Sequence, residues 1–500
     1  MKKLMTLALA AGMLLGAATG ASAIDFKAKG QWLMGFAAGD GSLVSHVKNN
    51  KAGNHNKAAD TDDIFSASQR VRLQLDAVAS EALSGTVYFE IGDTHWGKNG
   101  DGGAMGADQR IVELKNAYID WMVPNTDLKF RMGIQGIQLP NVAGGSAILD
   151  DDVAAITASY QFNENVALTA MWARPYNDNY DARADRTNYQ DNMDLFALMV
   201  PLTFDGVKVT PWAMYGMAGA NTNFLTSTSP YARYINNGFK GEDTTTGKAY
   251  GSMFWAGLPI SLTLWDPLNV ELDINYGYVE SMGRYEAERA DNTFARMGDT
   301  KREGWLVKAL VEYKMDWGTP GIFGWYASGD DGNVKNGSER MPSISACGNF
   351  MSFMGDGNYG WSTSDSLYDR NMSYAGTWGI GLRIHDLSFV EDLKHSFRVA
   401  YWGGTNSPAM AKYVNSSYGW QNFNPDGYGE KDGPYLTTND GLLEFNLVNS
   451  YQIYENLEAN LELGYIVNLV DDDTWKRSYR NDSYKKQDAW KAQLIFAYSF

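Results

Sequence analysis

The chain closes on Trp490-Lys491-Ala492-Gln493-Leu494-Ile495-Phe496-Ala497-Tyr498-Ser499-Phe500, and this stretch decides the fold. One face takes Trp490, Ala492, Leu494, Phe496, Tyr498 and Phe500; the other takes Lys491, Gln493, Ile495, Ala497 and Ser499. A period of two with aromatics at both ends marks a strand that meets lipid on one side and water on the other.

The same pattern recurs upstream. Leu457, Ala459, Leu461, Leu463 and Tyr465 alternate with Glu458, Asn460, Glu462 and Gly464; Phe65, Ala67, Val71, Leu73 and Leu75 alternate with Ser68, Arg70, Arg72, Gln74 and Asp76. Leu268–Tyr278, Leu128–Ile134 and Trp305–Tyr313 repeat it. A soluble antiparallel sheet also alternates. Here, however, the runs last about 9–11 residues, the length that crosses a membrane, whereas soluble strands average about 5–6. The aromatics sit at strand ends, as at a membrane interface. The fold expected is all-β, a transmembrane antiparallel barrel.

Composition agrees. With 500 residues, 44% hydrophobic and 20% charged, and a mean hydropathy of −0.36, the chain is too polar for a bundle of apolar helices of about 20 residues each. An aromatic content of 13% excludes a disordered chain. The single Cys347 excludes a disulfide scaffold, and so few thiols and imidazoles argue against structural zinc. The N-terminus reads as an export signal over residues 1–23: Lys2 and Lys3, then the apolar Leu4–Ala18, then the small-residue site Ala21-Ser22-Ala23. The rest, 24–500, is expected to be one barrel domain.

Strands are expected to begin near Phe26, Ile64, Leu83, Arg110, Asp127, Val153, Val166, Met193, Val207, Tyr250, Leu268, Arg302, Ile322, Thr377, Ser396, Leu442, Leu457 and Asp488. That makes about 18, an even number as bacterial barrels have. Connections alternate between short (as at Phe204–Gly206 or His385–His395) and long (as at Ala37–Asp63 or Ser328–Ala375), matching periplasmic turns and external loops. Neither face is clean over Ile111–Trp121 or Tyr250–Leu264. Pro201, Pro211 and Pro259 each remove a ladder donor, so 16 strands stays an alternative.

The chain resembles the general, homotrimeric porins of Gram-negative outer membranes, most closely those of sulfate-reducing bacteria. The resemblance rests on the leader, the opening Ile24-Asp25-Phe26-Lys27-Ala28-Lys29-Gly30, and the terminal aromatic Phe500 of an alternating strand. It implies a trimer in outer-membrane lipid and lipopolysaccharide, and Phe500 as the signal read by the barrel assembly machinery. It also implies an inward loop after the fifth strand, here Gln135–Asp152.

A barrel of this size has a water-filled lumen, and no stretch before Phe26 is long enough to form a plug. Lys27, Lys29, Arg70, Arg72, Lys129 and Arg131 are expected inside, with Asp76, Glu90, Glu271, Asp273, Glu444, Glu458 and Glu462. Arg70, Arg72, Lys129 and Arg131 facing Asp150, Asp151 and Asp152 would form a constriction with a transverse field, although the same residues also read as ordinary lumen rungs.

No catalytic constellation surrounds His46, His55, His95, His385 or His395, no metal site is expected, and no nucleic-acid-binding stripe appears. No cofactor is expected; Gly329-Asp330-Asp331-Gly332-Asn333 and Asn424-Pro425-Asp426-Gly427 could offer oxygen ligands to Ca²⁺, or be turn chemistry. The function expected is passive diffusion of ions and small hydrophilic solutes. The alternative is a substrate-specific channel for organic acids, sugars or phosphate.

Overall fold

Alternating β-formers extend wherever each backbone N–H finds a neighbour, and in this chain the sheet closes on itself. A computed structural model describes residues 24–43, 46–48, 57–59, 63–107, 112–177, 192–219, 241–246, 250–288, 294–353, 359–363, 374–413, 435–475 and 486–500. The leader at 1–23, the expected strand start at Arg110 and the run 424–427 lie outside them. The barrel strands are β1 (Asp25–Asp40), β2 (Ile64–Ser80), β3 (Leu83–His95), β4 (Glu113–Met122), β5 (Leu128–Gln138) and β6 (Asp150–Gln161). Next come β7 (Ala167–Asn177), β8 (Asn192–Met199 with Leu202–Phe204), β9 (Val207–Val209 with Trp212–Gly219), β10 (Tyr250–Trp265), β11 (Leu268–Val279) and β12 (Arg302–Tyr313). The last are β13 (Thr319–Ala327), β14 (Thr377–Val390), β15 (Leu393–Gly404), β16 (Gly441–Tyr454), β17 (Leu457–Asn468) and β18 (Ala489–Ser499).

Each strand pairs antiparallel with the next, and β1 pairs with both β2 and β18, from Gln31↔Ser499 to Asp40↔Trp490. The result is a closed 18-strand barrel. Closure leaves no edge, the condition for a sheet to cross lipid. Pro201 and Pro211 interrupt β8 and β9 without ending them. Val200 N–H still donates to the Pro211 carbonyl at 3.0 Å, and Ala167 N–H to that of Pro201 at 3.1 Å. Pro259 stays within β10 opposite Asp273.

Turns on one side are tight. Gly206, with φ of 66°, allows the Asp205-Gly206 turn; a Cβ there would lie 2.9 Å from the Leu264 side chain. The expected turn at His385–His395 is shorter in fact. β14 runs on to Val390 and β15 begins at Leu393, across ladder shifts at Ile384/Leu387 and Leu387/Val390. The long connections on the other side carry structure of their own. Gly241–Thr246, Gly283–Glu288 and Phe294–Asp299 form a small three-stranded sheet, and His46–Lys48 pairs with Lys57–Ala59.

The two faces are inverted relative to a soluble protein. Trp305, Phe397, Tyr451 and Tyr498 are exposed outside, while Lys308, Glu462, Lys491 and Gln493 are buried inside. The apolar core also lies inside, where Met171, Leu195, Met214, Trp255, Phe323, Trp325 and Trp402 pack against loop residues such as Phe350 and Tyr374.

Candidate functional site

The lumen is not an empty cylinder. Its first obstruction is the β5–β6 hairpin. β5 pairs with β4 only from Met122↔Lys129 up to Ala117↔Ile134, and β6 with β7 only from Gln161↔Ala167 up to Ala155↔Ala173. Beyond those points β5 and β6 pair with each other alone, up to Gln138↔Asp150. The hairpin therefore leaves the wall, and its loop, Leu139–Leu149, reaches strands β11 and β12. There the Asp273 carboxylate accepts from Val142 N–H at 3.1 Å and Ala143 N–H at 2.8 Å. Lys308 lies 3.3 Å from Asp273 and donates to the Gly145 carbonyl. Tyr374 adds its hydroxyl to the Gly144 carbonyl at 2.7 Å.

The second obstruction is the connection between β13 and β14. It pairs with the first loop through Ser146 N–H to Cys347 O at 2.8 Å, Cys347 N–H to Ser146 O at 2.9 Å and Asp150 N–H to Ser345 O at 2.8 Å. Gly145 permits this approach: its φ is 79°, and a Cβ would lie 2.5 Å from Gly348 backbone carbons. Phe350 then stacks on Phe323, centroids 4.7 Å apart, within a group that includes Trp325, Tyr374 and Trp402. Further along, the connection meets the opposite wall. Ser352 N–H donates to Asn446 at 2.8 Å, Phe353 N–H to Glu444 at 3.0 Å, and the Tyr359 hydroxyl to Glu458 at 2.8 Å. Finally, Thr363 O accepts from Ser66 at 2.6 Å and Ser68 at 2.9 Å.

The root of this second loop is a buried polar network. Asp330 accepts from Ser338 Oγ and Tyr435 Oη, both at 2.6 Å, and from Glu339 N–H at 3.1 Å. Burial pushes the Asp330 carboxyl and the Tyr435 phenol up. Burial, with repulsion from Asp330 and Asp331, raises Glu339 to about 7. Asp331 bonds Asn333 N–H and Asn336 Nδ2 within the loop's own turn.

Arg70, Arg72, Lys129 and Arg131 on one side, and Asp150, Asp151 and Asp152 on the other, each have their own partners. Asp150, Asp151 and Asp152 open β6 and are not part of the loop. Asp150 accepts from Gln138, Asp151 from Ser345, and Asp152 from Asn116 and Lys115. Arg131 makes a bidentate pair with Asp120 at 2.9 and 2.8 Å and lies over the Tyr118 ring; Lys129 is 3.9 Å from Asp120. Arg72 pairs with Glu90 at 2.6 Å, while Arg70 lies against Trp361. Among the expected lumen residues, Lys27 is exposed beside Asp25, and Lys29 stands opposite Gln74. Asp76 accepts from Thr86 and Gln74, and Glu271 from Asn269. Glu462 is buried 3.1 Å from Lys491, with Phe353 over that lysine. Phe500 exchanges backbone bonds with Gly30 at 2.8 and 3.1 Å.

Two features escaped the sequence reading. The Lys308–Asp273 clamp needed the partner loop to be seen. The second loop did carry a signal: Met341–Gly355 is uncharged and includes Ile344, Phe350, Met351 and Phe353, an apolar load that a water-facing loop must bury. Two cavities mark the seams. One, about 290 Å³, lies beneath the hairpin and is lined by Asp120, Lys129, Arg131, Gln135, Thr157, Ser159 and Thr169. The other, about 220 Å³, lies where the hairpin leaves the wall, between Ile134, Asp152, Arg174 and Ser345.

Acinetobacter baumannii OccAB2 has a similar structure, with a TM-score of 0.51 and 12% identity over 96% of this chain and 99% of that one. The likeness is one of fold. Pseudomonas aeruginosa OpdL (TM-score 0.49, 12% identity, 95% of this chain and 99% of that one) and a BenF-like porin from Pseudomonas fluorescens Pf-5 (0.48, 10%, 95% and 98%) are also similar. No family model matches the sequence, and comparison with curated proteins finds no match.

Proposed function

We propose that this chain is an outer-membrane channel for passive diffusion of ions and small hydrophilic solutes. The observation that carries the reading is the inverted barrel. Its oily exterior suits lipid, while its interior holds Lys129, Arg131, Asp120, Arg72 and Glu90 around a lumen narrowed by two loops. A closed strand ladder with charge inside and aromatics outside has little use in water. Purified protein in a planar bilayer should give discrete conductance steps; a folded protein that gives none would refute the reading.

A substrate-specific channel for organic acids, sugars or phosphate is the second reading. The cavity beneath the hairpin favours it, since the Thr157, Ser159 and Thr169 hydroxyls line it beside Lys129 and Arg131. Conductance that saturates with one solute supports this reading, and strictly linear conductance the general pore.

The rest of the proposal follows from the same picture. The leader at 1–23 directs export, the barrel sits in the outer membrane beside lipopolysaccharide, and Phe500 serves the assembly machinery. The protein forms a homotrimer of the kind seen in general porins, those of sulfate-reducing bacteria included. A net charge of −17 gives mild cation preference at low salt, softened by the basic lumen rungs.

A further inference from the structure

The ladder of the wall is broken where the β5–β6 hairpin turns inward. β4 pairs with β5 no further than Ala117↔Ile134, and β7 with β6 no further than Ala155↔Ala173. Among the described residues, 113–116 of β4 and 174–177 of β7 therefore have no strand ladder on the hairpin side. The cavity of about 220 Å³ occupies this break. Its outer lining is the pair Ile134↔Ala154, on the lipid-facing register next to Met132↔Ile156, and Ile134 is 41% exposed. Ile156 in turn stands opposite Trp172. The inner end is shut by Leu149 and Ile344, at 3% and 1% exposed. The cavity is thus blind toward the lumen and open toward lipid.

The polar groups that line it are already committed. Asp151 accepts from Ser345 Oγ and Asp152 N–H, both at 2.8 Å. Asp152 accepts from Asn116 at 2.7 Å and from Lys115, and Arg174 holds Asp194 at 2.9 and 3.0 Å. What is left to meet a guest is Ile134, Leu149, Val153, Ala154, Pro175 and Ile344. Apolar cavities stay dry and take apolar guests, and the mouth of this one is continuous with the lipid-facing surface of the barrel. We propose that an alkyl chain of an outer-leaflet lipid enters the break and seats against Leu149 and Ile344. The chain covers apolar surface that the two departing strands leave bare. It also touches both constricting loops at once, Leu149 in the first and Ile344 in the second. The proposal rests on the outer-membrane reading above.

Thiol labelling from the membrane tests it. Ile344→Cys in a Cys347→Ser background leaves the full-length chain with one thiol, and the protein is folded into phospholipid vesicles. Decyl methanethiosulfonate, dissolved in the lipid, should label that thiol about ten-fold faster than the water-borne sulfonatoethyl reagent, each rate taken relative to free cysteine, because only the decyl chain gains from burial. Adding Ala154→Phe, which fills the mouth, should abolish the advantage. Equal labelling by the two reagents, or a decyl rate unmoved by Ala154→Phe, would overturn the proposal. Folding is checked by heat-modifiable gel mobility; should Ile344→Cys fail to fold, Leu149→Cys reads the same floor from the other loop, with the same two outcomes deciding. Conductance of the unmodified chain is recorded alongside. Conductance steps without the decyl preference defeat the pocket alone, whereas a decyl preference without steps supports the pocket and defeats the channel.

Discussion

Lys308 on β12 and Asp273 on β11 lie 3.3 Å apart with side chains 0% and 2% exposed, and together they hold the tip of a hairpin rooted in β5 and β6. Breaking a buried pair by removing one partner costs about 3–5 kcal/mol, because the other is stranded. Lys308→Met should therefore destabilise the barrel by about that amount and free the hairpin tip. Lys308→Met combined with Asp273→Leu should recover much of the stability while leaving the tip free. Thermal unfolding in detergent reads the first effect, and a larger, noisier single-channel conductance reads the second.

Closure of the barrel can be challenged at Gly30. A Cβ there would lie 2.6 Å from the Arg72 carbonyl oxygen and 2.6 Å from the Phe500 ring. Gly30→Val overpacks that contact, at about 1–3 kcal/mol, and displaces the terminal aromatic from the seam between β1 and β18. The fraction of protein running as a heat-modifiable, folded band should fall, while Gly85→Ala, whose nearest neighbour would be 3.9 Å away, leaves it unchanged.

Selectivity should follow the Asp120–Arg131 pair. Asp120→Asn removes the carboxylate that neutralises Arg131 and lies 3.9 Å from Lys129, leaving two cations facing the lumen. Reversal potentials in a salt gradient should move toward anions, most at low ionic strength where screening is weakest. Unchanged reversal potentials would place the conducting path away from this wall.

Glu339 sets a pH dependence for the second loop. Its carboxyl is raised to about 7 in the folded protein, against about 4.3 when unfolded, so between these values the folded state binds more protons. Stability from this group is then fully present below about pH 4.3 and is lost as pH rises toward and past 7. The melting temperature in detergent should therefore fall from pH 5 to pH 8, even though the Asp331 N–H bond to Glu339 Oε2 at 3.1 Å favours the ionised carboxylate. In Glu339→Gln that difference should vanish.

The strand pattern was legible because lipid outside and water inside impose opposite demands on successive residues, as Trp490 and Lys491 show. It blurred where the inside is not wet. On β10 the inward Gly251, Met253, Trp255 and Gly257 face loop residues such as Met282 and Pro342, so both faces read as apolar. At Ile111–Trp121 the cause is a ladder shift: Tyr88 opposes Asn116 and Phe89 opposes Leu114, so Lys115 is an extra residue and the faces exchange there. The alternation puts Arg70, Arg72, Lys129 and Arg131 on the polar face of their strands but does not give their partners. Pairs such as Arg131 with Asp120 depend on cross-strand register, which periodicity alone leaves open.

The joined loops also bear on the shape of the whole wall. A hoop of hydrogen-bonded strands resists stretching along its circumference but flattens easily into an oval. The backbone bonds between Ser146 and Cys347, continued to Asp273 on one flank and to Glu444 and Asn446 on another, run across the bore like a tie rod. Membrane tension or lateral pressure that would squash an unbraced cylinder must here first break that strut.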